Sequence, residues 1–371
     1  MNFGFTDEQD ELRRMVRRFL EEKSPESEVR RLMATPEGYD AAVWRQMADE
    51  MALQGLAIPE EFGGQGFGPV ELYVVFEEMG AALLCAPFFA TVALAAPAIM
   101  AVGTPEDQRR LLPGIADGTT IATLALTDDG GSWDLADTST LAHEGDHGWT
   151  VSGVRSYVLD GAVASLILVP AKTTSGLSLF AVEAGAPGMS VEALATMDQT
   201  RKQARLTFAA TPATLVGAEG AAAEGLATAV QVALAALAAE QVGGAQRVLD
   251  NAVAYAKERI QFGRPIGSFQ AIKHKCADML LDVESAKSAA YYAAWAAQEK
   301  SSELPIAASL AKSFCSEAYF HCAAENIQIH GGIGFTWEHH AHLYFKRAKS
   351  SELLFGDPAY HRNLLAQHLG I

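Results

Sequence analysis

The sequence predicts an α+β protein in three consecutive parts: a helical region, an antiparallel β region and a second helical region that forms a bundle. Three observations carry this. Apolar residues recur at helical spacing through the first ~115 residues. Composition changes near Gly118 to short β-prone runs separated by Gly, Asp, Ser and Thr. Beyond Gly217 the chain returns to long apolar helical stretches. The expected domains are residues 1–117, 118–216 and 217–371.

In order along the chain, Thr6 with Gln9 forms a capping box that opens a helix carrying Leu12, Val16, Phe19 and Leu20 on one face. A glycine-rich break from Glu60 to Pro69 precedes a helix through Val70–Met79. The stretch from Ala81 to Val102 has no charge and is about long enough to span a bilayer, but Pro87 and Pro97 divide it, so it reads as buried helices. The β-prone runs are Ile121–Leu126, Trp149–Val151, Leu166–Val169 and Leu177–Val182. Leu226–Ala239 has only Thr228 and Gln231 as polar residues and is expected to be a central helix, followed by helical runs over Phe269–Lys300 and Ile306–Ile329.

With 28 Lys plus Arg against 45 Asp plus Glu, the net charge is -17. Such a chain repels polyanions, which argues against nucleic acid, although a local basic pocket can still hold a small phosphorylated ligand. The cysteines Cys85, Cys276, Cys315 and Cys322 lack CxxC spacing and read as reduced thiols of a cytoplasmic protein, and the acidic N-terminus has no signal-peptide pattern. No membrane span is expected.

Among chemical motifs, the run from Glu338 to His342 contains three histidines but has no companion cluster, so a metal site is not expected. Gly331-Gly332-Ile333-Gly334-Phe335 follows a helix rather than a strand, which disfavours a dinucleotide-binding βαβ unit. The segment from Glu258 to Gln270 closes one helix at Arg259, turns through Gly263 and opens the next near Phe269. A corner Arg offers forked donors to a pyrophosphate and Phe262 can bound a flat ring; an ordinary inter-helix turn has the same pattern.

These segments resemble the acyl-CoA dehydrogenase family of flavoproteins over essentially the whole chain. The carriers are Arg259, Phe262-Gly263 and Phe269-Gln270; then Gln328, Gly331, Gly332, Gly334 and Phe335; and Leu124-Ala125-Leu126-Thr127 as the strand bearing a flavin-contacting Thr. The resemblance implies a helical N-terminal domain, a middle antiparallel β domain and a C-terminal four-helix bundle, assembled as a tetramer. It also implies FAD lying across a subunit boundary, acyl-CoA as substrate and electron-transfer flavoprotein as acceptor. On this likeness Arg259, Gln261, Phe262, Gln270, Gln328, Gly331 and Gly332 serve a neighbour's FAD, while Thr127, Tyr157 and Leu159 belong to the cofactor region of the same subunit.

The family's reaction removes an α-proton with a carboxylate while flavin N5 takes the β-hydride. Here the chain departs from the pattern. The usual Glu position is Phe355, followed by Gly356 and Asp357, and the alternative position on the central helix is Ala233 before Leu234. The Trp-x-Thr near the flavin reads Tyr157-Val158-Leu159, and Trp133 replaces a small Ser. The resemblance therefore points first to the subunit of an α2β2 heterotetramer that lacks the catalytic Glu and completes a partner's FAD site. A second reading is a homotetramer with Glu240 as a relocated base, since Glu240 lies two turns beyond Ala233 and Gly243 and Gly244 leave space beside it; pairing of Glu240 with Arg247 or another helix, with the glycines allowing close packing, is the competing account. A third is a non-redox member binding acyl-CoA or nucleic acid.

Overall fold

A computed structural model describes the chain from Gly4 to Ile371. Helix α1 (Asp7–Lys23) opens on the expected capping box, with Gln9 N donating to Thr6 Oγ1 at 3.3 Å and Thr6 N to Gln9 Oε1 at 3.0 Å. Then come α2 (Glu26–Met33), α3 (Ala41–Asp49) and α4 (Pro69–Ala81). The uncharged stretch after α4 folds as a π-helical segment, Phe89–Ala95, running into α5 (Ala96–Val102); the π segment and the first four residues of α5 are buried, while Ala101 is exposed. Helix α6 (Pro105–Ala116) is capped by Thr104, and Asp107 of its first turn also accepts from Gly217 N at 3.0 Å.

The strands are β1 (Ala122–Leu124), β2 (Leu141–Gly145), β3 (Gly148–Leu159), β4 (Leu166–Thr173), β5 (Gly176–Glu183), β6 (Met189–Ala193) and β7 (Gln203–Val216). Their order is β1-β4-β2-β3-β7-β5, and β5 pairs back to β4, so five strands form a closed ring. Most pairs are antiparallel, as expected. β1 and one residue of β2 instead run parallel to β4. The pairing sets Ala122 opposite Leu166, far along the chain, a crossover that strand-forming composition does not reveal.

Helix α7 (Ala222–Glu258) is followed by a two-stranded corner, β8 (Ile260–Gln261) and β9 (Arg264–Pro265), then α8 (Gln270–Gln298), α9 (Leu304–His330), α10 (Ala341–Leu353) and α11 (Pro358–His368). By length and composition α7 could cross a membrane, but 56% of its most apolar window is buried inside the protein, as in a core helix.

By its contacts the chain falls into two compact units. One holds the segments up to Arg30, Pro69–Leu84 and Leu234–Ile371; the other holds Arg31–Gly68 and Cys85–Ala233. In the first, α4 and α7 approach at backbone distance. A Cβ on Gly80 would stand 2.0 Å from the Glu240 carbonyl oxygen, and one on Gly243 would stand 1.8 Å from that of Glu77. Only glycine allows that approach.

Candidate functional site

The corner between α7 and α8 begins where Arg259 N still bonds to Tyr255 O and Ile266 N returns to Arg259 O at 2.8 Å. Between them β8 and β9 pair, with Phe262 and Gly263 both at positive φ (51° and 75°). Two left-handed residues in succession are the signature of a tight hairpin turn. Glycine takes that conformation freely, whereas Phe262 is strained in it. The turn presents its aromatic ring to solvent: Phe262 is 91% exposed, its ring edge-on to Phe269 at 6.0 Å. Arg264 covers the other ring, with its guanidinium 4.1 Å from the Phe269 centroid.

Arg259 is exposed beside this ring, and among the described residues its side chain makes no hydrogen bond or ion pair. Gln261 is also exposed, and its side-chain Nε2 donates to the neighbouring Ile260 carbonyl at 2.8 Å. Gln270, the first residue of α8, is exposed as well.

The end of α9 comes to the same place. Tyr255 stacks on His330 at 4.2 Å, and Lys275 of α8 is ion-paired with Glu325 of α9. These contacts bring Gln328, Gly331 and Gly332 beside the corner. Gln328 is exposed, and a Cβ built on Gly331 or Gly332 would meet nothing within 4 Å, so the turn is open to a flat ligand. A free guanidinium, exposed amides, a solvent-facing ring and an open glycine turn form a donor set suited to a dinucleotide pyrophosphate and its base. In charge and in space, this face fits that part of FAD.

The place where a base is expected looks different. Phe355 is buried, at φ 59°. Its carbonyl lies 3.0 Å from His361 Nε2, and the Gly356 carbonyl accepts from Lys312 Nζ at 3.0 Å. Lys312 also donates to Glu352 O at 2.9 Å and Ser316 Oγ at 3.0 Å. Burial pushes this ammonium down to about 7. The segment that bears the base in relatives of this pattern is here an apolar ring on a loop fixed from behind by a buried lysine. Ala233, the other expected position, is fully buried.

Glu240 is buried and its carboxylate meets Arg347 of α10 at 2.8 Å. Arg247 is not its partner. The space expected beside it is also filled: the Gly243 side faces the Glu77 carbonyl, and a Cβ on Gly244 would lie 2.4 Å from the Tyr319 ring. Those glycines serve helix packing rather than a ligand.

In the β unit, β1 stops at Leu124, so Thr127 lies three residues beyond the strand expected to bear it; it is buried, and its carbonyl accepts from Ser156 N at 3.1 Å. Between Arg155 and Val158 the β3–β7 register slips, and within that irregularity Tyr157 takes φ 57° and is 48% exposed. Leu159 is buried and its carbonyl is occupied by the Thr123 hydroxyl at 2.6 Å. Leu159 itself has no side-chain donor to offer a flavin ring.

Two further residues shape this loop and went unremarked in the sequence. Arg155 is buried, donates to Leu126 O at 2.9 Å and also bonds Thr138 and the Pro170 carbonyl. Asp129 sits between the Ser156 hydroxyl and the Arg205 guanidinium, both at 2.9 Å, and Arg205 with Ser156 holds its carboxyl down to about 2. A cation in the middle of a strand is the signal that could have pointed to Arg155. The histidines of 338–342 form no metal cluster among the described residues; burial lowers the His339 imidazole to about 4, and its ring stacks on that of His340 and meets that of His330 at a tilt.

Models described as the N-terminal, middle and C-terminal domains of acyl-CoA dehydrogenase match residues 6–119, 123–210 and 224–370. The acyl-CoA dehydrogenase IpdE2 of Mycobacterium tuberculosis is 35% identical over 352 residues, covering 95% of this chain and 94% of that protein. Among solved structures, the ChsE4-ChsE5 complex from Mycobacterium tuberculosis superposes with a TM-score of 0.91 at 30% identity, covering 100% and 99% of the two chains. A variant of the Tcur3481-Tcur3483 steroid ACAD superposes with a TM-score of 0.90 at 33% identity, covering 98% of each.

Proposed function

This chain belongs to the acyl-CoA dehydrogenase family, and from that premise we propose that it is the subunit of a heteromeric enzyme that closes the FAD site of a base-bearing neighbour. The family's activity is FAD-dependent dehydrogenation of acyl-CoA thioesters. FAD supplies the hydride-accepting ring when bound.

The observation that carries the reading is a contrast within one chain. Arg259 stands exposed with no partner among the described residues, while both positions expected for the base are the buried apolar residues Phe355 and Ala233. A guanidinium fork binds a pyrophosphate through paired charge-assisted bonds, which is the work Arg259 does for the neighbour. Gln261, Gln270 and Gln328 add amide donors, Phe262 gives a flat apolar wall, and Gly331 and Gly332 admit the ligand without side-chain obstruction. Nothing at Phe355 or Ala233 takes a proton, so the α-proton leaves to a carboxylate of the partner. Glu240 keeps a structural part, neutralising Arg347 in the bundle. Similarity to the ChsE4-ChsE5 complex and to the Tcur3481-Tcur3483 steroid ACAD supports a heteromeric assembly and a steroid-type acyl-CoA as substrate class.

The reading is tested by co-expressing this chain with a family member that carries the carboxylate, and placing Arg259→Ala in this chain alone. Loss of one charge-assisted contact set weakens FAD binding to the complex by about 10- to 100-fold. Because Arg259 is exposed, the folding stability of this chain stays unchanged. Undiminished FAD affinity in the Arg259→Ala complex would refute the assignment.

A further inference from the structure

On α7, Arg247 and Asn251 stand one turn apart and line a solvent-open cavity of about 300 Å³ within a single compact unit, bounded by α1, α2, the end of α4 and α10. This volume is at the lower end of the ~300–1,000 Å³ typical of small-molecule sites. Arg247 lies twelve residues before Arg259, about 18 Å along the helix axis, so the cavity is separate from the corner face.

The charges around it are unequally matched. Both oxygens of Glu78 hold Arg17, at 2.9 and 2.7 Å. Glu26 is paired with Arg30 at 2.7 Å and lies 3.4 Å from His340. Glu240, the partner that sequence spacing offers to Arg247, has gone to Arg347. Arg247 is therefore half-buried and, among the described residues, has neither a hydrogen bond nor an ion pair. Its neighbour Asn251 is held at the cavity edge, with Nδ2 3.0 Å from His340 Nε2.

A guanidinium that has given up part of its water without an acceptor is an incomplete arrangement, and a carboxylate completes it with two parallel bonds. Two features narrow the ligand. Leu20, Val29 and Leu343 give the cavity an apolar wall, which favours a hydrocarbon body. Arg17, which also lines the cavity, is taken by Glu78, and Arg30 is taken by Glu26, which leaves Glu21 as the surplus charge beside Arg247, so a second negative charge on the ligand would be repelled. That disfavours phosphate esters and dicarboxylates. We infer that the cavity binds a small organic monocarboxylate, with its carboxylate on Arg247 and its hydrocarbon body against Leu20, Val29 and Leu343.

The test is calorimetric titration of the full chain with cyclohexanecarboxylate, and in parallel with cyclohexanecarboxamide, the neutral analogue of the same shape. The carboxylate saturates one site per chain and binds about tenfold or more tighter than the amide. Arg247→Gln removes most of that difference, and Asn251→Asp, which leaves Arg247 in place but adds a negative charge, weakens carboxylate binding as well. If one variant fails to fold, the other decides the question. Inorganic phosphate does not compete. Absence of saturable binding, equal affinity for acid and amide, unchanged binding in folded Arg247→Gln or Asn251→Asp protein, or competition by phosphate each overturns the inference.

Discussion

The Glu240 carboxylate and the Arg347 guanidinium meet at 2.8 Å with their side chains 8% and 4% exposed, joining α7 to α10 in the interior of the bundle. Removing one member of such a pair leaves the other charged and buried. Glu240→Gln is expected to cost about 3–5 kcal/mol, read as a lower denaturant midpoint at an unchanged slope. The double variant Glu240→Leu with Arg347→Met recovers most of that loss, because no unpaired charge remains. A Glu240→Gln protein of normal stability whose heteromeric complex no longer turns over would instead place the carboxylate in the chemistry.

Gly243 discriminates packing from ligand space by a different route. An alanine there gains about 1 kcal/mol in helix propensity, yet its Cβ would fall 1.8 Å from the Glu77 carbonyl oxygen. The helices must separate, and Gly243→Ala is expected to lose about 1–3 kcal/mol net. If a ligand occupied the position, the same substitution would leave folding neutral or improved and reduce substrate affinity; thermal melting together with a substrate titration separates the two.

Lys312 gives stability a definite pH dependence. Its ammonium is buried against the Ser316 hydroxyl and the Glu352 and Gly356 carbonyls, and burial lowers it from 10.5 to about 7. The unfolded chain keeps this proton where the folded chain has released it. Between about 7 and 10.5 the unfolded state thus binds more protons, and this group's contribution to stability rises with pH; below about pH 7 its desolvation penalty is present in full. The expected readout is the difference in unfolding free energy between wild type and Lys312→Met, growing in favour of wild type from about pH 6 to about pH 9. A difference that is flat across this range means that the folded protein holds the proton as water does.

What could be read from sequence follows from the range of each interaction. The capping box at Thr6, the central helix through Leu226–Ala239 and the corner at Arg259 depend on neighbours a few residues away, and spacing exposes them. The partner of Glu240 is 107 residues distant, and Arg247, seven residues on, is the partner that spacing alone suggests. Lys312 is satisfied largely by backbone carbonyls 40 and 44 residues away, which have no side-chain signature. The glycines at 243 and 244 were legible as a small-residue face; whether a ligand or a helix filled it depended on where α4 and Tyr319 pack. In the sheet, strand-forming runs were evident, but the parallel pairing of β1 with β4 depends on a crossover that composition does not encode.

The division of labour between subunits is tested most directly by counting flavin. This chain is purified alone and, separately, as a complex with a base-bearing family member, and FAD per polypeptide is determined from absorbance after denaturation. Alone, the chain carries no stoichiometric flavin and does not oxidise acyl-CoA. In the complex, one FAD accompanies each pair of chains and turnover appears. A solitary chain that retains one FAD per polypeptide and dehydrogenates acyl-CoA would contradict the account.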